Sequence, residues 1–203
     1  MNFLAHLFLA DTHPDALLGS LMGDFVKGPL VGRYPPALER ALVQHRAVDT
    51  FTDAHPIVRT SRARVAPPYR RFAGIVVDMY YDHFLARRWG EFAIEPLADF
   101  TARVYAVLLA QEARLPDRLR RIAPSMARRD WLGSYRAVES VHIALDRMGD
   151  RLKRGNALLG AGEALMPHYA ALDADFRAFF PELVRFARRY DEPAKRSPGV
   201  GYD

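Results

Sequence analysis

Acidic and imidazole side chains interrupt strongly apolar runs in the first 90 residues of this 203-residue chain. Asp24 follows Leu21-Met22-Gly23 and precedes Phe25-Val26, while Asp78, Asp82 and His83 sit inside the run from Ile75 to Leu85. A buried carboxylate is costly unless it meets a cation, a metal or several donors, so these positions are candidates for chemistry. On a helix, Asp78 and Asp82 lie about 40° apart and point the same way. His83 lies about 100° beyond Asp82 and joins the cluster only if the helix is enclosed on more than one side, as its all-round apolar neighbours indicate.

The segment before it repeats the pattern. His45 and Asp49 are one helical turn apart on one face, with Arg46 beside them, able to hold a phosphate or pair with a carboxylate. Asp53 is a favoured cap for a short helix beginning near Pro56, and His55, in the turn before that proline, is read as structural too. His6 stands on an apolar segment with polar Asn2 one turn back; it is either a satisfied core histidine or a further ligand. His13, His142 and His168 fall outside the cluster. Imidazoles and carboxylates drawn from several helices suit a hard or borderline divalent ion such as Mn²⁺, Mg²⁺ or Zn²⁺. The competing reading makes His45–Asp49 and Asp82–Arg87 ordinary helix-face pairs and binds Asp24 and Asp78 to core arginines. Spacing alone leaves both open.

The elements that must position these groups are helices, because apolar residues recur three and four positions apart and period-two alternation is almost absent. The pattern predicts helices over 2–10, Pro14 to Val26, Pro36 to Thr52, Pro56 to Val65 and Pro67 to Trp89. The second half offers Pro96 to Arg114, Pro116 to Ala123, Ser125 to Gly149 with a break near Gly133, and Glu163 to Tyr190 with a kink or break at Pro167 or Pro181. Residues 1–190 read as one all-α domain, and 191–203 as a polar, mobile tail. The glycines of Gly19-Ser20-Leu21-Met22-Gly23 permit close helix packing rather than cradling a phosphate.

Composition narrows the class. Half the residues are apolar and 26% charged, which fits a globular domain. No apolar stretch approaches the roughly 20 residues that cross a bilayer. Without cysteine there is no disulfide, thiolate–zinc site or thiol nucleophile. The opening Met1-Asn2-Phe3-Leu4 lacks a basic leader and cleavage site, so a cytoplasmic location is expected. Of 29 basic residues only Lys27, Lys153 and Lys195 are lysine. Arginine forks favour an acidic or phosphorylated partner, although the same usage also fits solvated helix faces. No Walker loop, dinucleotide fingerprint, Gly-x-Ser-x-Gly elbow, RNA-recognition motif or zinc finger is present.

Four segments in order carry a resemblance: Met1-Asn2-Phe3-Leu4-Ala5-His6-Leu7, Gly19 to Gly28, His45 to Asp53, and Asp78-Met79-Tyr80-Tyr81-Asp82-His83-Phe84-Leu85. Together they resemble the motifs of the acyl carrier protein phosphodiesterase family, itself similar to HD-domain phosphohydrolases. The resemblance implies an all-helical, Mn²⁺-preferring hydrolase, with Mg²⁺ or another divalent ion as substitutes, that removes the 4′-phosphopantetheine arm from holo-acyl carrier protein. It makes Asp24 the first choice for an essential residue, and His6, Asp24, His45, Asp49, Asp78, Asp82 and His83 the candidate ligands. Arg46 or Lys27 would neutralise the phosphate oxygens. Two features depart from the pattern: Asp82-His83 reverses the His-Asp order of the wider superfamily, and Phe8 stands where a second histidine is expected. The partner implied is a small acidic protein, met by arginine pairs such as Arg70-Arg71, Arg87-Arg88, Arg120-Arg121 and Arg128-Arg129, with no nucleic acid and no membrane. The alternatives are a related hydrolase of a nucleotide or other phosphoester, and a non-catalytic basic binder.

Overall fold

The computed structural model describes residues 1–150 and 157–190. Among these the elements are α1 (Phe3–Phe8), α2 (Pro14–Met22), α3 (Pro36–Ala54), α4 (Pro56–Ala63), α5 (Ala73–Arg87), α6 (Trp89–Phe92), α7 (Leu97–Ala110), α8 (Asp117–Arg128), α9 (Trp131–Ser134), α10 (Val138–Gly149), α11 (Ala161–Ala164) and α12 (Tyr169–Ala187), with no strand. The all-α single-domain expectation holds. The tail expected at 191–203 lies outside the described residues.

Helices α2, α3 and α4 each open on a proline, and α7 and α8 directly after one, because proline's fixed φ suits a first turn where its missing N–H costs nothing. Several expected boundaries move: α2 stops at Met22, before Val26, and α7 at Ala110, before Arg114. The long helix expected from Pro67 starts only at Ala73, after a 3₁₀ turn at Tyr69–Phe72. Helix α8 runs through Pro124, and the chain breaks at Asp130, whose φ is +42° and whose carboxylate accepts from the Gly133 N–H of α9. Pro167 falls in a 3₁₀ turn before α12, whereas Pro181 lies inside α12. At Pro124 and Pro181 a missing ladder bond is tolerated because apolar neighbours such as Met126, Phe180 and Leu183 are fully buried.

Helix α5 is the central element, with Val76, Val77, Tyr80, Tyr81, Phe84 and Leu85 all removed from solvent. It packs against α1, α4, α10 and α12, so its apolar surface runs all round rather than along one stripe. Helices α2 and α3 lie closest of all. A Cβ at Gly19 would stand 2.6 Å from the Leu38 carbonyl oxygen and 2.7 Å from the Ala41 methyl, so only glycine admits this approach. Phe8 joins Trp89, Phe92 and Phe180 in an aromatic cluster, which accounts for an apolar residue at that position. No helix among the described residues is long and apolar enough to cross a membrane.

Candidate metal centre

The close packing of α1, α2 and α3 brings four of the expected side chains to one place. The imidazoles of His6 and His45 stack with ring centroids 3.7 Å apart. Asp49 spans both: Oδ1 lies 3.1 Å from His6 Nε2, and Oδ2 lies 3.4 Å from His45 Nε2. Asp24 approaches His45 Nε2 from the other side at 3.6 Å. The helical spacing of His45 and Asp49 puts both on the face of α3 that meets α1 and α2.

The ring of His45 is fixed from behind. Its Nδ1 lies 3.0 Å from the carbonyl oxygen of Ser20, one of the last four of α2, which have no partner within their own helix. The ring thus donates through Nδ1 and turns Nε2 toward the two carboxylates, the arrangement that orients metal-binding imidazoles generally. Gly23 makes room for it, since a Cβ there would stand 2.2 Å from His45 Cγ. Arg46 Nη2 donates to the Val26 carbonyl at 3.2 Å, tying α3 to the segment that carries Asp24.

Electrostatics divides the two imidazoles. Burial pushes His6 down to about 4, against the pull of Asp49, so it stays neutral, with its single N–H on the Nε2 that faces Asp49. Burial also opposes charge on His45, but Asp24 and Asp49 outweigh it and hold the ring up to about 9. Burial works against ionisation of Asp49 and Asp24 as well, yet hydrogen bonds from His45, and for Asp49 from His6, keep both below the usual carboxylate range. Without an ion, the proton on His45 occupies the place a cation would take.

The donor set fits a divalent ion. Single ligand atoms of His6, His45 and Asp49 all lie within 4.8 Å of one another. At metal–ligand bonds of about 2.2 Å, donors stand about 3 Å apart when adjacent and about 4.4 Å when opposite. Two imidazole nitrogens with carboxylate oxygens suit a borderline ion such as Mn²⁺, Zn²⁺ or Fe²⁺. Asp24 and Asp49 are respectively 48% and 40% exposed, which leaves the centre open on one side.

The remaining expected ligands stand apart. Asp78 sits at the edge, 3.3 Å from the buried α-amino group of Met1, which also lies 3.5 Å from Asp49. Those two carboxylates raise the amine above its ordinary value against the effect of burial. Asp82 is fully buried and accepts from the backbone N–H groups of Leu4 and Ala5, and burial pushes its carboxyl up to about 7. Both nitrogens of His83 are taken, by the Tyr135 carbonyl at 2.7 Å and the Tyr169 hydroxyl at 2.7 Å. The enclosure expected around His83 is real, but aromatic and backbone groups supply it. Asp53 caps no helix; it accepts from Arg62 at 2.6 Å. Lys27 is exposed on the segment after Asp24. Sequence reasoning took Gly23 as a general packing residue and had no signal for the Ser20 carbonyl, since backbone acceptors leave no trace in residue type.

The class that emerges is an all-helical protein with two imidazoles and two carboxylates gathered on one half-open side, a candidate centre for a divalent ion. A family model described as acyl carrier protein phosphodiesterase matches residues 1–183. Similar relatives carry that same name: one from Yersinia pestis is 35% identical over 93% of this chain and 98% of its own length. Others from Serratia proteamaculans and Photorhabdus laumondii are 35% and 34% identical over 93% and 94% of this chain and 98% and 97% of their own. The chain belongs to the acyl carrier protein phosphodiesterase family and is an enzyme. No solved structure matches it.

Proposed function

We propose that this enzyme cleaves the phosphodiester joining the 4′-phosphopantetheine arm to holo-acyl carrier protein, returning the apo-protein, and that it does so with a divalent ion, Mn²⁺ first, held by His6, His45, Asp49 and Asp24. The observation that supports this most is the convergence of four side chains from α1, α3 and the turn after α2, in the segments that carry the family motifs. An ion bound there supplies Lewis-acid polarisation of the phosphoryl group and acidifies water.

The chain's own groups have distinct tasks in this reading. Neutral His6 and ionised Asp49 form the fixed wall, and His45 is aimed by its bond to Ser20. Asp24, the most exposed of the four, is placed to accept a proton from the attacking water on the open side. Lys27, exposed beside it, can meet a non-bridging phosphate oxygen. Arg46 holds the Asp24 segment instead of meeting substrate directly.

The partner is recognised by charge in the same reading. Arg88 and Arg120 pair with Asp173 and Asp117 and are spent within the chain. Arg70, Arg71, Arg128 and Arg129 are exposed and carry no ion pair among the described residues, which leaves them open to an acidic protein. A cytoplasmic site of action belongs to this reading too.

Intact-mass spectrometry of holo-acyl carrier protein, incubated with the enzyme and Mn²⁺ or with a chelator, tests it. Loss of the arm with Mn²⁺ and none with chelator is the expected result. An unchanged carrier mass with folded enzyme and every divalent ion tried would sink it.

A further inference from the structure

Helix α1 carries His6 yet has only six residues, well below the length at which a helix sustains itself in water. Its own cap residue does not help: the side chain of Asn2 makes no bond to the first-turn N–H groups, and its amide lies instead against the Met79 sulfur. Those N–H groups are taken from elsewhere. Asp82 Oδ2 accepts from Leu4 N at 2.8 Å and Oδ1 accepts from Ala5 N at 3.1 Å, a cap supplied from the centre of α5. Apolar burial of Leu4, Ala5 and Leu7 fixes which face of α1 looks inward, but such contacts are non-directional and leave sliding and roll poorly defined. Two hydrogen bonds to adjacent N–H groups define both. Ala5 is joined directly to His6, whose Nε2 stands 3.1 Å from Asp49.

We propose that Asp82 is a positioning residue of the metal centre, its carboxylate clamping the first turn of α1 so that the His6 imidazole stays in register with His45 and Asp49. This deepens the proposed function and rests on that reading for the identity of the centre. The buried carboxylate is retained at a desolvation cost because only a two-oxygen acceptor of this length satisfies both N–H groups. Glutamate reaches further by one methylene and would push α1 along its axis. Asparagine offers one oxygen and turns an amide N–H toward a backbone donor.

The test compares Asp82→Glu and Asp82→Asn with Tyr80→Phe, which removes a hydroxyl on the same helix as Asp82 that donates to the Gly162 carbonyl and lies 3.1 Å from His142 Nε2. Helical circular dichroism and melting report folding. Histidine-ring NMR of the metal-free protein reports the His6 environment, and Mn²⁺ titration followed by electron paramagnetic resonance reports affinity. The expected result is that the folded Asp82 variants shift the His6 ring signals but not those of His142. Their Mn²⁺ affinity falls at least about tenfold, while Tyr80→Phe shifts the His142 signals, which its hydroxyl contacts, but changes neither the His6 signals nor the Mn²⁺ affinity. Folded Asp82 variants with wild-type His6 signals would overturn the proposal. So would both variants failing to fold, since Asp82 would then hold the whole domain and not the site. If the wild type binds no Mn²⁺, the metal reading fails while the ring signals still decide the role of Asp82.

Discussion

Two groups of carboxylates sit in this molecule with opposite partners. On α12, Asp173 receives Arg88 Nε at 2.7 Å and Nη2 at 2.5 Å, and Asp175 receives Arg64 at 2.5 Å and the Ser61 hydroxyl at 2.6 Å. At the centre, Asp24 and Asp49 face imidazoles instead. A guanidinium does not give up its proton; the Arg88 fork fills both oxygens of Asp173, and Arg64 and Ser61 both meet Oδ2 of Asp175, so these pairs fasten α12 to the C-terminal ends of α4 and α5. An imidazole releases its proton and leaves a lone pair. Carboxylates beside such a ring face a proton that can be exchanged, which is the place the proposed ion would take. Exposure follows the division: side chains at the centre are 48% and 40% exposed, against 19% and 18% for Asp173 and Asp175.

Removing an imidazole or carboxylate at the centre breaks this contrast most sharply. His45→Ala or Asp49→Asn is expected to abolish Mn²⁺ binding and to lower turnover of holo-acyl carrier protein about a thousandfold or more, which corresponds to about 4 kcal/mol of lost stabilisation. Asp175→Asn, equally a lost carboxylate, should leave Mn²⁺ affinity within about twofold, because distant sites act independently. Parallel ion titrations of the three variants check this, and equal losses in all would erase the distinction. Gly23→Ala probes the same centre without touching a donor. Its methyl would occupy the place of the His45 ring, so Mn²⁺ affinity should fall by about ten- to a hundredfold while the helical signal persists.

The contrast explains which parts of the molecule were legible in the sequence. Helix starts at Pro14, Pro36 and Pro56 were legible, since proline acts locally on its own turn. The start at Ala73 and the stop at Arg128 were missed because proline was read as the helix boundary itself: a 3₁₀ turn at Tyr69–Phe72 separates Pro67-Pro68 from α5, and α8 continues through Pro124. The His45–Asp49 pair could be read from its spacing, and Asp24 from its apolar surroundings. The shared face of Asp78 and Asp82 was read correctly, yet what it meets is the opening of the chain: an amine and two N–H groups. Backbone donors come with every residue and so have no compositional signature. For the same reason a buried acid could be found in the sequence but not sorted into ligand or clamp.

A smaller effect is expected at the closed pairs. Arg88 also meets Glu91 at 2.7 Å, and its pair with Asp173 is three-quarters or more shielded from solvent on both sides. Arg88→Ala should cost about 1–2 kcal/mol, between the values typical of exposed and fully buried pairs, with Mn²⁺ affinity unchanged. Urea denaturation of the metal-free protein measures the first and the ion titration the second. A loss of metal affinity here would mean that α12 and the centre are one coupled unit.

The smallest expected effect is one of pH, and its sign follows from the same pair. Hydrogen bonds from Arg88 hold the Asp173 carboxyl below its ordinary 3.8, outweighing partial burial. The unfolded chain therefore binds more protons at this site than the native chain as pH falls through and below 3.8. The contribution of Asp173 to stability is complete above that value and disappears as pH drops through the lower, native one. Asp173→Asn has no such dependence. The gap in unfolding free energy between wild type and Asp173→Asn should stay constant, at about 1 kcal/mol or less, from neutral pH down to about pH 5, then close with further acidification. Asp24 and Asp49 are also held low, but both proteins share them and their titration cancels in the difference. A gap that widened in acid would mean that Asp173 is stabilised in its neutral form, and the guanidinium would not be the group that closes this pair.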